Sequence, residues 1–93
     1  MKLLYCNKCN DIFLLVRRMR TCYCGASRAW YVDNVSAEYS GNCTPIGIAN
    51  NSFKQALENQ PEEGTGKDFI AFVIPKKCET FTREVAQLQH VRN

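Results

Sequence analysis

The sequence lacks any apolar run that approaches the roughly 20 residues of a membrane span. It also lacks a long apolar segment ahead of its first cysteine. Only residues 1–5 stand there, and one of them is a lysine. We therefore expect neither a membrane anchor nor a signal peptide. No internal repeat and no low-complexity linker divides the 93 residues. These absences argue against a membrane protein or a repeat protein and predict one small cytoplasmic domain, residues 1–93, with a limited core.

Cysteine, in contrast, is abundant, and four of the six cysteines form two close pairs. Cys6 pairs with Cys9, Cys22 pairs with Cys24, and twelve residues separate the pairs. This is the spacing of a zinc ribbon, in which four thiolates surround one ion at about 2.3 Å. A shell closed by four sulfurs leaves no position for water or substrate, so the pattern predicts a structural Zn²⁺ site rather than a catalytic one.

The second cysteine pair departs from the usual ribbon, because only Tyr23 separates its two members. Gly25 after it suits a tight turn that needs positive φ. An iron site of the rubredoxin type uses the same four thiolates, so the choice between zinc and iron stays open. Cys43 and Cys78 are left over; we interpret them as small buried residues, with a redox pair or additional metal ligands as the alternative.

The charge distribution is locally basic. Residues 1–31 carry six Lys or Arg side chains against one Asp, whereas the remainder carries six basic and eight acidic side chains. The formal net charge is +3, and a zinc ion with four thiolates lowers it to about +1. Arg17, Arg18 and Arg20 lie together between the cysteine pairs, where a ribbon could present phosphate-binding side chains; a solvated turn is the competing interpretation.

Short β-branched and aromatic segments predict a β-rich N-terminal part, residues 1–40, with strands at 2–5 and 12–16 and a hairpin from 28–32 and 35–39 around Asp33 and Asn34. In residues 41–93, Ser52 and Gln55 form a capping box that predicts a helix over 53–59. The most apolar segment, residues 69–75, predicts a central buried strand. Val85, Leu88 and Val91 recur every three residues and predict a C-terminal helix over 82–91, in a tail that begins near residue 83 and could fray or dock.

These elements together predict an α+β fold. It is a small β-rich single domain with an N-terminal zinc ribbon of rubredoxin-like knuckles, one short central helix and a C-terminal helix.

The chain also resembles a group of short bacterial and phage proteins of uncharacterised activity. The resemblance covers residues 3–83 and rests on the N-terminal cysteine pair, the string Pro-Ile-Gly-Ile-Ala-Asn-Asn-Ser-Phe at residues 45–53, and the string Phe-Val-Ile-Pro-Lys-Lys-Cys at residues 72–78. The resemblance implies a prokaryotic or viral cytoplasmic protein, and it carries no activity over to this chain.

A second candidate ligand site lies where the predicted helix begins. Asn50, Asn51 and Ser52 offer polar side chains beside free backbone amides, which suit a phosphate or carboxylate; simple helix capping is the competing interpretation. Trp30 in the hairpin could stack a base, although such aromatics more often cover a small core.

Three function classes remain. The first is a non-catalytic binding module for an anionic partner, either nucleic acid or a phosphorylated small molecule. The second is a protein-interaction adaptor or inhibitor, and the third is a redox or hydrolytic enzyme that uses the spare cysteines. The oligomeric state is not indicated by the sequence.

Overall fold

The structure, a computed structural model, describes residues 1–84 and contains eight strands and one helix in that part of the chain. The strands are β1 (Lys2–Cys6), β2 (Ile12–Leu14), β3 (Arg20–Thr21), β4 (Arg28–Tyr31), β5 (Ala37–Ser40), β6 (Cys43–Ile48), β7 (Ala71–Val73) and β8 (Phe81–Arg83). The helix, α1 (Asn50–Glu58), lies between β6 and β7. No helix among these residues is both long and apolar enough to cross a membrane.

The strands form two four-stranded sheets. The first sheet has the order β2-β1-β6-β7, and all its neighbours are antiparallel. The second sheet has the order β3-β4-β5-β8, in which β8 runs parallel to β5. Because β6 pairs along the whole of β1, a strand from the predicted C-terminal part lies beside the strand that carries the first cysteine.

The core lies between the inner faces of the two sheets. Side chains alternate between faces along a strand, so every second residue points inward. Leu4 and Phe13 from the first sheet and Tyr39 and Phe81 from the second belong to one connected buried cluster. The Tyr39 and Phe81 rings meet edge to face with centroids 5.0 Å apart. Such a pair adds about 0.5–1.5 kcal/mol to the gain from burial.

The predicted α+β class is wrong, because the described chain is mostly β and has a single short helix. The predicted C-terminal helix is not found: Phe81–Arg83 form strand β8, which pairs with β5. The rest of that prediction, residues 85–91, lies outside the described residues. Pairing with β5 gives the backbone groups of this segment hydrogen-bond partners within the sheet. A helix with only a narrow apolar stripe would gain little from packing.

The predicted central strand is also wrong in its position. Within residues 69–75 only Ala71–Val73 form a strand, and β7 lies at the edge of the first sheet with all three residues exposed. Ile74, just after it, is buried. The central position next to β1 is held by β6, although its sequence is less apolar and includes Pro45 and Gly47.

Several local predictions are confirmed. Strands occur at both ends of the first cysteine turn, and β4 and β5 form the predicted hairpin around Asp33 and Asn34. Asp33 Oδ1 accepts hydrogen bonds from the backbone N–H groups of Val35 and Ser36 at 2.8 and 2.7 Å. These bonds, Ser36 first, lower the pKa of Asp33, since they favour the ionised carboxylate.

Candidate metal centre

The first cysteine turn begins where β1 ends. Cys6 is fully buried, and its carbonyl oxygen accepts a hydrogen bond from the Asn10 N–H at 2.9 Å. Asn10 has φ 66°, a left-handed conformation that asparagine tolerates better than most residues. The turn directs the Cys9 N–H at the Cys6 sulfur, 3.5 Å away. The local backbone therefore offers this sulfur a hydrogen bond that suits a thiolate.

The second cysteine turn follows β3 and repeats the arrangement. Gly25 directly follows Cys24, has φ 79°, and donates its N–H to the Cys22 carbonyl oxygen at 3.1 Å. The Ser27 N–H points at the Cys22 sulfur, 3.3 Å away. A left-handed residue thus follows the second cysteine of each pair. It is Asn10 in the first turn and Gly25 in the shorter second turn, where glycine adopts positive φ without a steric cost.

The sulfur atoms of the four paired cysteines lie close together in space. Those of Cys6, Cys9, Cys22 and Cys24 all lie within 4.8 Å of one another. The Cys22 and Cys24 sulfurs are 3.5 Å apart, and the Cys6 and Cys24 sulfurs are 3.9 Å apart. Four sulfurs at about 2.3 Å from a tetrahedral zinc ion are separated by about 3.8 Å. The four cysteines are therefore positioned to hold one metal ion, as the spacing predicts.

Asp11 joins the two cysteine turns. Its backbone carbonyl oxygen accepts the Cys6 N–H at 2.8 Å, and its carboxylate Oδ2 accepts the Tyr23 N–H at 2.9 Å. One residue thereby fixes the distance between the halves of the site. From the sequence, Asp11 contributed only its charge, because its two partners could be identified only from the fold.

The pKa values of the thiols differ strongly across the cluster. Interaction with the Ser27 hydroxyl, followed by the Cys9 amide, lowers the pKa of Cys6 to about 6. At Cys24 the Ala26 amide lowers the pKa, but desolvation and the three neighbouring thiols outweigh it and raise the pKa to about 11. Four thiolates in so small a volume repel one another, and a divalent cation removes that repulsion.

The environment of the Ser27 hydroxyl agrees with this interpretation. It is fully buried, and its oxygen has no hydrogen-bond partner of acceptable geometry among residues 1–84, although the Cys6 thiol is its neighbour. A buried hydroxyl without a partner is costly, and a thiolate sulfur is an acceptor that would satisfy it. The residues around the cluster therefore fit a metal-bound, deprotonated set of cysteines.

The two remaining cysteines are separate from this cluster in the described structure. Cys43 lies opposite Cys6 on β6, and its thiol donates to the carbonyl oxygens of Ser40 and Gly41 at 3.6 and 3.4 Å. Burial raises the pKa of Cys43. The Cys78 sulfur lies 3.5 Å from the Thr80 hydroxyl, which lowers the pKa of Cys78.

The arginines predicted to bind an anion have structural contacts. Arg17 donates to Asn34 Oδ1 at 3.1 Å, and Arg20 donates to the Leu14 carbonyl oxygen at 2.8 Å. The Arg20 guanidinium also lies 5.8 Å from the centre of the Phe13 ring. Arg18, between them, is exposed. Arg17 thus contacts the hairpin turn and Arg20 the end of β2. Arg18 is exposed, like Arg17, but makes no side-chain hydrogen bond among the described residues.

The predicted site at the helix start also has structural contacts. Helix α1 begins at Asn50, and the residue before it, Ala49, makes no side-chain capping bond. The Ser52 hydroxyl instead donates to the Ala49 carbonyl oxygen and accepts the Ile70 N–H, both at 2.9 Å. Asn50 Oδ1 accepts from the Met1 nitrogen at 2.8 Å, while Asn51 is exposed.

The remaining member of the predicted set, Trp30, is half-buried on the outward face of the second sheet, opposite Glu38. No hydrogen bond in the described part of the chain joins this tryptophan, the arginines or the helix start to one another.

A cavity of about 430 Å³ opens between the two sheets. Its lining includes Tyr39, Cys43, Pro45, Ile74, Lys76 and Arg83 and no acidic residue. The Arg83 guanidinium lies 4.9 Å from the centre of the Tyr39 ring and donates to the Gly41 carbonyl oxygen at 2.7 Å. This cavity was not predicted from the sequence, because its residues come from distant segments of the chain and Arg83 fell in a predicted helix.

Comparison with protein-family models, curated proteins and solved structures found no match to this chain.

Proposed function

We propose that the protein is a non-catalytic binding module, stabilised by one structural zinc ion, that binds an anionic partner. The sulfur cluster supports the structural role, because four thiolates complete the coordination of zinc and leave no position for a substrate. A reducing compartment such as the cytoplasm would keep these thiols free for the metal.

The observation that carries the proposal is the cavity between the sheets. It has the volume of a small-ligand site, and Lys76 and Arg83 contribute two positive charges without an acidic residue in the lining. Apolar walls formed by Pro45 and Ile74 lower the local dielectric constant and strengthen attraction for an anion. A phosphorylated small molecule fits this chemistry. Arg18, which is exposed and outside the cavity lining, is a separate candidate contact for a longer nucleic acid.

A cysteine-dependent enzyme is less well supported. Cys43 reaches the cavity, but burial raises the pKa of its thiol, which disfavours the nucleophilic thiolate. The only histidine of the chain, His90, lies outside the described residues. No described histidine therefore stands beside Cys43 or Cys78 as a general base.

Binding of two probes tests the proposal. Replacing Lys76 by alanine should weaken binding of a fluorescent adenine nucleotide about tenfold or more, because one charge-assisted hydrogen bond to phosphate is lost. Replacing Arg18 by alanine should instead weaken binding of a labelled single-stranded oligonucleotide and reduce the salt dependence by about one unit in log–log slope. Fluorescence titration at several salt concentrations measures both effects.

Lys67→Ala is the matched control, because Lys67 is an exposed lysine in the polar segment before β7 and is not part of the cavity. It should change neither titration by more than about twofold. Absence of binding by both probes, or equal losses in Lys67→Ala and Lys76→Ala, would contradict the proposed anionic partner.

A further inference from the structure

The segment that follows β5 and begins β6, residues 41–44, contacts both the cysteine cluster and the cavity; we call it the connecting segment. Cys43 and Thr44 line the cavity. The Gly41 carbonyl oxygen accepts a hydrogen bond from the Arg83 guanidinium at 2.7 Å, and Arg83 supplies one of the two positive charges of the cavity. The connecting segment therefore forms part of the cavity wall and holds a side chain that the proposed anion would contact.

The first cysteine turn holds the connecting segment through Asn7, which directly follows Cys6. The Asn7 N–H donates to the Asn42 carbonyl oxygen at 2.9 Å, and the Asn7 side-chain amide donates to Asn42 Oδ1 at 3.2 Å. Asn7 Oδ1 in turn accepts the Thr44 hydroxyl at 3.3 Å. Cys6 and Cys43 are also direct partners in the register of β1 and β6. Three hydrogen bonds of one residue thus join the first cysteine turn to the cavity wall.

The second cysteine turn packs directly against the same segment. A methyl group added at Gly41 would meet the Ser27 Cα atom at 2.8 Å and backbone atoms of Ala26, so the two stretches of backbone lie in close contact. The Ser27 N–H points at the Cys22 sulfur, 3.3 Å away. Both halves of the metal site therefore contact one four-residue segment.

We infer that metal binding at the cysteine cluster increases the affinity of the cavity for its anion, with Asn7 as a positioning residue. This coupling rests on the proposed function, because it requires an anion in the cavity. A metal ion fixes both cysteine turns, and the turns fix the Gly41 carbonyl oxygen and the Thr44 hydroxyl. A site whose groups are already ordered binds its ligand at a smaller entropic cost. By linkage, the anion increases the affinity for the metal by the same factor.

The contacts of Arg83 show how the effect reaches the anion. One Arg83 nitrogen donates to the Gly41 carbonyl oxygen, and the guanidinium lies 4.9 Å from the centre of the Tyr39 ring. A guanidinium carries five N–H donors in one plane, so the remaining donors are available to a phosphate or carboxylate. Displacement of Gly41 would remove one of these two contacts and turn the donors. The position of the connecting segment therefore sets the orientation of Arg83.

Titration of the zinc-loaded full-length protein with the fluorescent adenine nucleotide tests the positioning role. Asn7→Ala removes the side-chain bonds to Asn42 and Thr44 but changes neither a metal ligand nor a residue that lines the cavity. Asn42→Ala removes the same amide bond from the other side and is not adjacent in sequence to any of the four ligands, so it gives an answer even if Asn7→Ala loses its metal. Each variant should weaken nucleotide binding about threefold to tenfold.

Asn34→Ala is the matched control. Asn34 is also exposed and also accepts a side-chain hydrogen bond, but it lies in the hairpin turn, at the other end of β4 and β5 from the cysteine turn and the connecting segment. Its substitution should change nucleotide binding by less than about twofold, because distant sites without shared partners act independently.

Competition with a zinc chelator, with and without the nucleotide, gives the reciprocal measurement. The nucleotide should raise the zinc affinity of the unchanged protein about fivefold or more, and the increase should be smaller in Asn7→Ala at the same nucleotide concentration. The chelator sets the free zinc concentration, so zinc held by the nucleotide does not alter the comparison. A substitution that only destabilises the fold lowers both zinc affinities equally and leaves their ratio unchanged.

Unchanged nucleotide binding in both Asn7→Ala and Asn42→Ala would overturn the coupling and leave the anion site in place. A zinc affinity that does not respond to a nucleotide that binds would do the same, as would an equal loss of nucleotide binding in Asn34→Ala. Absence of nucleotide binding by the unchanged protein would instead contradict the proposed function, and the coupling with it.

Discussion

Replacing Cys9 by serine is expected to abolish metal binding and cooperative unfolding together. Cys9 is only half-buried, and its sulfur is one of the four in the cluster, so the substitution removes a ligand while changing little packing. Apparent binding free energies of structural zinc reach about 10–16 kcal/mol in small domains. The free energy of unfolding of a typical small protein is about 5–15 kcal/mol. Loss of the zinc-binding free energy is therefore comparable to the whole stability of the fold. Metal analysis and urea unfolding of the same samples measure the two losses.

The matched control is the double variant Cys43→Ala with Cys78→Ala, which also removes thiols but leaves the four clustered sulfurs in place. It should keep one metal ion per chain, although loss of the buried Cys43 side chain should reduce stability by about 1–2 kcal/mol. If the double variant lost its metal, one of these cysteines would belong to the coordination shell. Stoichiometric metal in Cys9→Ser would likewise contradict the four-cysteine site.

Replacing Gly41 by alanine is expected to have the second largest effect. Gly41 has φ 111°, and a methyl group there would meet the Ala26 carbonyl oxygen and, at 2.8 Å, the Ser27 Cα atom. Both contacts are backbone atoms of the second cysteine turn, which cannot move without displacing Cys22 and Cys24. Backbone strain and overpacking each cost about 1–3 kcal/mol. We expect a loss of about 3 kcal/mol or more in the free energy of unfolding, together with weaker metal binding in a chelator competition.

Gly64→Ala separates backbone strain from the steric clash. Gly64 has φ 90°, close to that of Gly41, but nothing lies within 4 Å of the added methyl group. Its substitution should cost about 1 kcal/mol through backbone strain and leave the metal affinity unchanged. Equal losses in the two variants would contradict the close approach of Gly41 to the cysteine turn.

The metal site could be predicted from sequence because its geometry is local. Each cysteine pair lies within one turn, and Gly25 supplies the conformation that the shorter turn needs. The hairpin was predictable for the same reason, since Asp33 and the residues whose amides it binds are adjacent in sequence. Short-range patterns of this kind reflect steric and hydrogen-bonding rules that act within a few residues.

The sheet order could not be predicted in this way, because it depends on pairing between distant segments. Residues 69–75 have the composition of a buried strand, yet β7 is an edge strand and β6 takes the place beside β1. Likewise, the periodicity of residues 82–91 favoured a helix, while β5 offered Phe81–Arg83 a parallel partner. Tertiary pairing overrides local propensity in such cases.

The candidate ligand-binding residues were the hardest part of the molecule to predict from sequence. Arg17 and Arg20 were grouped by charge, but their partners Asn34 and Leu14 could be identified only from the fold. The cavity joins Lys76 and Arg83 to residues more than thirty positions earlier in the chain. The resemblance to short bacterial and phage proteins stays a prediction, as does the anionic partner.

The most direct test of the account is the metal content of the natively purified full-length protein, measured by elemental analysis together with its visible absorption spectrum. The account predicts one zinc ion per chain and no visible absorption band, because zinc has a filled d shell. A protein that is folded without metal, or one that holds iron with a visible thiolate band, would contradict the zinc-stabilised module.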